Sequence, residues 1–158
     1  MTNYNPTFYV DMDGVLADFM GEPNALERFA HERGFFTLLK PFAKNLEAVR
    51  NAWAHGAKIF ILSASPNEQA DQDKIKWLSR HFPELPTDRV ILMRNGQNKA
   101  EFMKTESGIL LDDYGKNCTQ WCAHKFGRNR AVKIKQDGDI ATAFQAVRVL
   151  KGILLNAD

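Results

Sequence analysis

Two carboxylates one residue apart follow a short apolar segment near the beginning of the chain. Asp11 and Asp13 come directly after the apolar residues 8–10, and Gly14, which permits a tight turn, follows them. Carboxylates at the end of a buried strand are unfavourable unless a cation neutralises them. The alternative is a surface turn in which an aspartate caps backbone amides. The apolar residues on both sides of the motif favour a site at the edge of a core.

More polar residues follow the later apolar segments of the chain. They are Ser63 and Ser65 after residues 58–62, Arg94 and Lys99 after residues 90–93, and Asp112 and Asp113 after residues 108–111. Open α/β sheets bind their ligands outside the carboxyl ends of the strands, so we expect these side chains to meet Asp11 and Asp13 there. Each has an ordinary alternative as a helix cap, a surface lysine or a charged loop. Their occurrence together favours one site.

Four clustered carboxylates, Asp11, Asp13, Asp112 and Asp113, would repel one another and raise one another's pKa values. A hard divalent cation with oxygen ligands would neutralise them, and Mg²⁺ is the expected cofactor because no histidine or cysteine stands nearby to indicate zinc. With a serine hydroxyl and a lysine at the same edge, the set suits phosphoryl transfer through an aspartyl-phosphate. Which of Asp112 and Asp113 binds the metal directly is left open.

Five short apolar segments predict the strands that position these residues: 7–10, 58–62, 90–93, 108–111 and 131–135. Continuous rather than alternating apolar character is typical of parallel strands covered on both faces. Segments long enough for helices separate them. The pattern predicts an α/β fold, a three-layer α/β/α sandwich with a central parallel sheet.

Helix signals occur between the predicted strands. The segment Ser65-Pro66-Asn67-Glu68 predicts a helix that is capped by its serine and has proline at the first position. Lys99 is expected to open another helix. Residues about 19–42 fall outside the alternation and predict a small helical insertion, in which Leu26 and Phe29 have helical spacing.

Composition and charge limit the classes of function. The chain has 158 residues and a net charge of +2, which suits one domain with a single core. Because its charges are interspersed, without the basic stripe typical of nucleic-acid-binding proteins, nucleic acid is not an expected partner. Cys118 and Cys122 lie one helical turn apart and are expected to pack as small apolar residues. In the absence of a signal sequence or a membrane-spanning segment, we expect a cytoplasmic protein with no membrane partner.

Residues 11–18, with the motif D-x-D-G-V-L-A-D after a hydrophobic strand, resemble motif one of the haloacid dehalogenase (HAD)-like phosphatases. The later strand-end residues resemble the other three motifs of that superfamily. Residues 11–19 and several later segments are similar to the 5′(3′)-deoxyribonucleotidases within it; these segments are 34–36, 63–66, 74–77, 90–94 and 110–113. The resemblance implies a single HAD-like, Rossmannoid domain over residues 1–158, with residues 19–42 as a small cap.

The resemblance also implies a role for each site residue. Asp11 would be the nucleophile, and Asp13 would protonate the leaving group and then activate water. Four residues would contact the phosphate group: Ser63, Ala64, Arg94 and Lys99. Lys74 and Lys104 are alternatives to Lys99 as the motif lysine. Phe19 would line the substrate pocket, with a core aromatic as the alternative.

The implied activity is a Mg²⁺-dependent phosphatase for small phosphate monoesters, similar to a 5′(3′)-deoxyribonucleotidase acting on deoxyribonucleoside monophosphates. A homodimer is an implied partner. The predicted cap is shorter than the family's and lacks the aromatic segment that the family places against the nucleobase. A phosphatase for nucleic-acid ends or phosphosugars is therefore one alternative. A binding module that keeps the fold without turnover is the other, and the complete set of site residues counts against it.

Overall fold

A computed structural model describes the chain from residue 5 to residue 155, with side chains except at 126 and 148–155. Five strands form one sheet: β1 (Thr7–Val10), β2 (Lys58–Ser65), β3 (Val90–Arg94), β4 (Ile109–Asp112) and β5 (Arg130–Lys133). All neighbouring strands are parallel, and their order is β3-β2-β1-β4-β5. The predicted parallel sheet is confirmed, with β1 at its centre.

Five α-helices lie in the described part of the chain: α1 (Ala25–Arg28), α2 (Ala43–Ala54), α3 (Glu68–His81), α4 (Gly115–Ala123) and α5 (Asp139–Leu155). Short 3-10 helices occur at Phe35–Leu38, Thr87–Arg89, Lys99–Phe102 and His124–Gly127. None of the helices between residues 5 and 155 combines the length and the apolar character that crossing a bilayer requires.

Successive strand residues point to opposite sides of the sheet, so continuous apolar strands give it two apolar faces. Helices cover both of these faces. Val10 and its neighbours on one face pack in a cluster with Val49 of α2, Trp77 of α3 and Ile140 of α5. Tyr9 and its neighbours on the other face pack in a second cluster with Trp121 of α4. The three-layer α/β/α sandwich predicted from the sequence is therefore confirmed.

One local prediction was wrong. Helix α3 is capped by Asn67, whose side chain accepts a hydrogen bond from the amide of Ala70 at 2.9 Å. Ser65 does not cap the helix, because it remains in β2 and pairs with Arg94 of β3. Residues 19–42 contain the single turn α1 and the 3-10 helix Phe35–Leu38, and Leu26 on α1 is 67 % exposed.

Residues 19–42 are attached to α3 by polar and aromatic contacts. The amide of Gly34 donates to the buried carboxylate of Asp73 at 2.8 Å, and the indole of Trp77 donates to the carbonyl of Leu39 at 2.8 Å. The rings of Phe19 and Phe35 lie 5.6 Å apart within the same segment. The two hydrogen bonds hold the segment against α3, and its description as a cap stays a prediction.

Candidate active site

Three carboxylates meet where β1 and β4 end. Asp11 follows β1, Asp112 ends β4 and Asp113 comes next, and each offers an oxygen within 4.8 Å of the other two. Pairing of the two strands continues past β1, because the amide of Asp11 donates to the carbonyl of Leu111 at 3.0 Å. Adjacent parallel strands thus bring together residues that are far apart in sequence, as the sequence analysis expects.

A tight turn follows Asp11 and depends on Gly14. The carbonyl of Met12 accepts from the amides of Val15, Leu16 and Ala17 at 3.2, 2.8 and 2.9 Å. Gly14 adopts a φ of +78°, and a Cβ there would lie 2.1 Å from an oxygen of Asp113. Only glycine lets this turn approach the Asp113 carboxylate so closely.

Lys99 lies between two of the carboxylates. Its ammonium is 2.9 Å from Oδ1 of Asp11 and 2.7 Å from Oδ2 of Asp112, and it donates to the carbonyl of Leu62 at 3.0 Å. The residue is only 2 % exposed and is the first residue of the 3-10 helix Lys99–Phe102, where a helix was expected to begin. This position neutralises part of the carboxylate charge, while binding of phosphate by Lys99 stays a prediction.

Lys74, which was predicted only as an alternative to Lys99 for the motif lysine, also lies in the site. It is fully buried, and its ammonium donates to Oδ2 of Asp13 at 2.7 Å, to Oγ of Ser63 at 2.9 Å and to the carbonyl of Ala64 at 2.6 Å. The ring of Phe36 lies 4.6 Å from the same ammonium. The signal for Lys74 was in the sequence: it lies three residues before Trp77, on the apolar face of α3.

Asp112 is held in place by several donors, whereas Asp113 is not. Oδ1 of Asp112 accepts from the amide of Tyr114 at 2.9 Å, and Oδ2 accepts from the side chain of Asn117 at 3.1 Å as well as from Lys99. Asp112 is fully buried and Asp113 is exposed. Asn117 is a site residue that sequence reasoning missed, because nothing in its spacing distinguishes it from a surface asparagine of α4.

Burial and mutual repulsion shift the pKa values of the cluster. Burial raises the pKa of Asp11 well above its usual value, the ammonium of Lys99 opposes that shift, and Asp112 raises the pKa further. Partial burial and then Asp112 raise the pKa of Asp113. Burial lowers the pKa of Lys99, but attraction by Asp11 and Asp112 outweighs it, and the net shift is upward.

The charges and donor atoms fit a divalent cation. Asp11, Asp13, Asp112 and Asp113 oppose only two ammonium groups, so two negative charges remain when all are ionised. All three clustered ligand groups are oxygen donors, which Mg²⁺ prefers. Asp13 is not among the three carboxylates whose oxygens lie within 4.8 Å of one another, and Lys74 binds its Oδ2, so metal binding by Asp13 stays a prediction. Its Oδ1 is buried and has no hydrogen-bond partner among the described residues.

Phe19 and Arg94, which were predicted to contact the substrate and its phosphate, contact other side chains of the protein. Phe19 is half-buried and packs edge-to-face on Phe29 and Phe35, with ring centroids 5.7 and 5.6 Å apart. The guanidinium of Arg94 makes two hydrogen bonds to the carboxylate of Asp71 on α3, at 2.9 and 3.1 Å. Contact of Phe19 with substrate and of Arg94 with phosphate stay predictions.

A comparison with protein-family models finds a match to the family described as 5′ nucleotidase, deoxy (pyrimidine), cytosolic type C protein, over residues 22–140. The match covers most of the chain, including Ser63, Lys74, Lys99 and the Asp112–Asp113 pair. Asp11 and Asp13 lie just before it. A comparison with curated proteins finds no match.

Proposed function

Because the chain belongs to the cytosolic type C 5′ deoxynucleotidase family, and is accordingly a HAD-type phosphoric monoester hydrolase, we propose that it hydrolyses deoxyribonucleoside monophosphates with Mg²⁺ as cofactor. We further propose that it works in the cytoplasm. The observation that carries the proposal is the placement of the Asp11 carboxylate beside Lys99, within 4.8 Å of Asp112 and Asp113.

The proposed reaction has two displacements at phosphorus. In the first, a carboxylate oxygen of Asp11 forms a bond to phosphorus, the ester P–O bond breaks, and the leaving alkoxide takes a proton from Asp13. In the second, water attacks phosphorus, gives a proton to Asp13, and the bond between Asp11 and phosphorus breaks. Phosphate and the carboxylate of Asp11 are regenerated, so the enzyme ends as it began.

Mg²⁺ would be held by Asp11, Asp112 and Asp113, and when bound it neutralises carboxylate charge and stabilises charge that develops on the phosphoryl oxygens. Lys99 supplies a second positive charge beside Asp11. Because both the nucleophile and the phosphoryl group are anionic, this cationic surrounding lowers their repulsion.

The contacts of Asp13 support its role in proton transfer. Lys74 binds Oδ2, which fixes the rotation of the carboxylate, and Oδ1 is left without a partner among the described residues. An oxygen with no competing donor can carry the acidic proton, and 23 % of the Asp13 side chain is exposed. Lys74 in turn bonds to Ser63, so one ammonium orients the acid and a proposed phosphate-binding hydroxyl together.

Recognition of a nucleoside is supported by the aromatic residues next to this acid. The Phe36 ring contacts the ammonium of Lys74, Phe35 packs on Phe36 with ring centroids 5.1 Å apart, and the half-buried Phe19 packs on Phe35. Phe35 and Phe36 are almost fully buried and Phe19 is half-buried, so Phe19 is the most exposed of the three and the one proposed to contact the substrate.

The test is phosphate release from deoxyribo- and ribonucleoside monophosphates, phosphosugars and an aryl phosphate, with Mg²⁺ and with chelator. We expect chelator-sensitive turnover that is greatest for the deoxyribonucleotides. Asp11→Asn removes the nucleophile and should lower kcat by at least about a thousandfold, whereas Asp88→Asn, at an exposed position, should leave kcat unchanged.

The possible results separate the parts of the proposal. Turnover of the aryl phosphate alone would support the mechanism and contradict the proposal that deoxyribonucleoside monophosphates are the substrates. Equal turnover by wild type and Asp11→Asn contradicts the covalent mechanism. Activity that survives complete chelation contradicts the role of Mg²⁺.

A further inference from the structure

Asn45 is a fully buried polar side chain in the first turn of α2, outside the carboxylate cluster. Its Nδ2 donates to the carbonyls of Val15 at 2.9 Å and Gln136 at 3.4 Å. Its Oδ1 accepts from the amides of Gly138 at 2.9 Å and Ile140 at 3.2 Å. An asparagine amide has two donor hydrogens and two acceptor lone pairs, and all four are used here.

One of these four bonds reaches the turn that carries the reacting carboxylates. Val15 is the second residue after Asp13, and its neighbour Gly14 abuts the carboxylate of Asp113. Local bonds of the turn include those from three amides to the carbonyl of Met12 and one from the amide of Gly14 to the carbonyl of Ala17. Two other bonds reach outside the turn: the amide of Phe42 donates to the carbonyl of Leu16, and Lys74 of α3 donates to Asp13. Asn45 is thus a buried side chain that ties the turn to a helix of the scaffold.

We infer that Asn45 is a positioning residue for the proposed phosphatase reaction: by holding the carbonyl of Val15, it fixes the turn and aims Asp13 at the leaving group. The inference rests on the proposed function. The same side-chain amide accepts from Gly138 and Ile140, and these two bonds fix the orientation of the Asn45 side chain itself.

Asp137 provides a matched control at the same junction. Its carboxylate accepts from the backbone amides of Asn45 at 2.8 Å and Lys44 at 3.2 Å, so it also links the segment before α5 to the start of α2. It makes no bond to the turn. Asp137→Ala therefore loosens the junction and leaves the bond between Asn45 and Val15 in place.

Asn45→Asp keeps the shape and the acceptor oxygen but removes the donor to Val15. Because a carboxylate there lies close to Asp137, Asn45→Ser serves as an uncharged second variant. The first measurement is amide hydrogen exchange of Val15, Leu16 and Ala17, which reports the turn whether or not the protein is catalytically active. We expect faster exchange in both Asn45 variants and unchanged exchange in Asp137→Ala.

The second measurement compares two Mg²⁺-saturated reactions, hydrolysis of a deoxyribonucleoside 5′-monophosphate and of p-nitrophenyl phosphate. The nucleoside alkoxide needs a proton to leave, whereas nitrophenolate leaves without one. Asp13 also activates water in the second displacement of both esters, so the comparison uses kcat/KM, which reports the steps through departure of the leaving group. A misaimed Asp13 should lower kcat/KM for the nucleotide by about ten- to a hundredfold, with a much smaller loss for the aryl ester. General loosening of the structure would lower both kcat/KM values alike.

Faster exchange of the turn together with the leaving-group-dependent loss supports the inference. Unchanged exchange in both Asn45 variants overturns it, and so does an equal loss for the two esters or the same loss in Asp137→Ala. If the wild type hydrolyses none of the phosphate esters tested, the proposed function is wrong, and the proposed role of Asn45 in catalysis is wrong with it. Amide exchange then decides separately whether Asn45 holds the turn.

Discussion

Replacing Lys99 by methionine removes a buried ammonium and keeps most of the apolar length of its side chain. Three contacts are lost, to Asp11 at 2.9 Å, to Asp112 at 2.7 Å and to the carbonyl of Leu62 at 3.0 Å. Asp112 retains the donors Tyr114 and Asn117, whereas Asp11 retains the amide of Met12. The uncompensated charge therefore falls mainly on Asp11.

Removal of one partner of a buried ion pair destabilises a protein by about 3–5 kcal/mol. The lower end, about 3 kcal/mol, applies at neutral pH in chelator, because Asp11 can reduce the penalty by taking up a proton. Its pKa is already raised by burial, and loss of Lys99 raises it further. Since the penalty grows as Asp11 ionises, the loss of stability should be smaller at pH 5 than at pH 8.

Urea unfolding followed by tryptophan fluorescence measures this loss, because Trp77 and Trp121 are both fully buried. Lys104→Met is the control, since Lys104 is exposed and the change should stay within about 0.5 kcal/mol. Saturating Mg²⁺ should recover part of the stability of Lys99→Met by replacing the missing positive charge. A loss below about 1 kcal/mol in chelator, or a loss that does not vary with pH, would refute the account of Lys99 as the buried counter-charge.

Two further predictions concern the same carboxylates. Gly14→Ala should lower the free energy of unfolding by about 1–3 kcal/mol from backbone strain, and it should weaken Mg²⁺ binding measured by calorimetry because the new Cβ meets Asp113. Gly56→Ala has a similar φ of +85° and no atom within 4 Å, so it reports the strain alone; equal Mg²⁺ affinities in the two variants would contradict the clash. In chelator, the wild type should become more stable relative to Asp11→Asn as the pH falls from 8 to 5, because the native state binds a proton at Asp11 at a higher pH than the unfolded chain does. Parallel pH profiles of urea midpoints for the two proteins would contradict that shift.

The sheet and most of its strands could be predicted because parallel strands covered on both faces are marked by continuous apolar segments. The strand order could not, since periodicity does not encode which strands are neighbours. The end of β2 was placed too early because the residues from Ser63 to Ser65 are small or polar, yet they continue to pair with β3. That pairing is also why Asn67, not Ser65, caps α3.

The carboxylates of the site could be predicted because acids at strand ends meet at one edge whatever the strand order. Lys74 was harder to assign, since its role depends on the direction in which α3 presents its apolar face. Asn45 and Asn117 could not be found from spacing, because their partners lie on other elements. Phe19 and Arg94 were assigned by resemblance, and the contacts they make are with Phe29, Phe35 and Asp71.

The central position of β1 has a consequence for synthesis on the ribosome. β1 leaves the exit tunnel first, but its two neighbours are β2 and β4, and β4 follows only about a hundred residues later. Until β4 emerges, one edge of β1 has no partner and Asp11 lacks the neighbouring carboxylates of Asp112 and Asp113. The nascent chain therefore cannot assemble the carboxylate cluster before β4 has been made. A product truncated after β3 would present an open apolar strand edge, which is a template for aggregation.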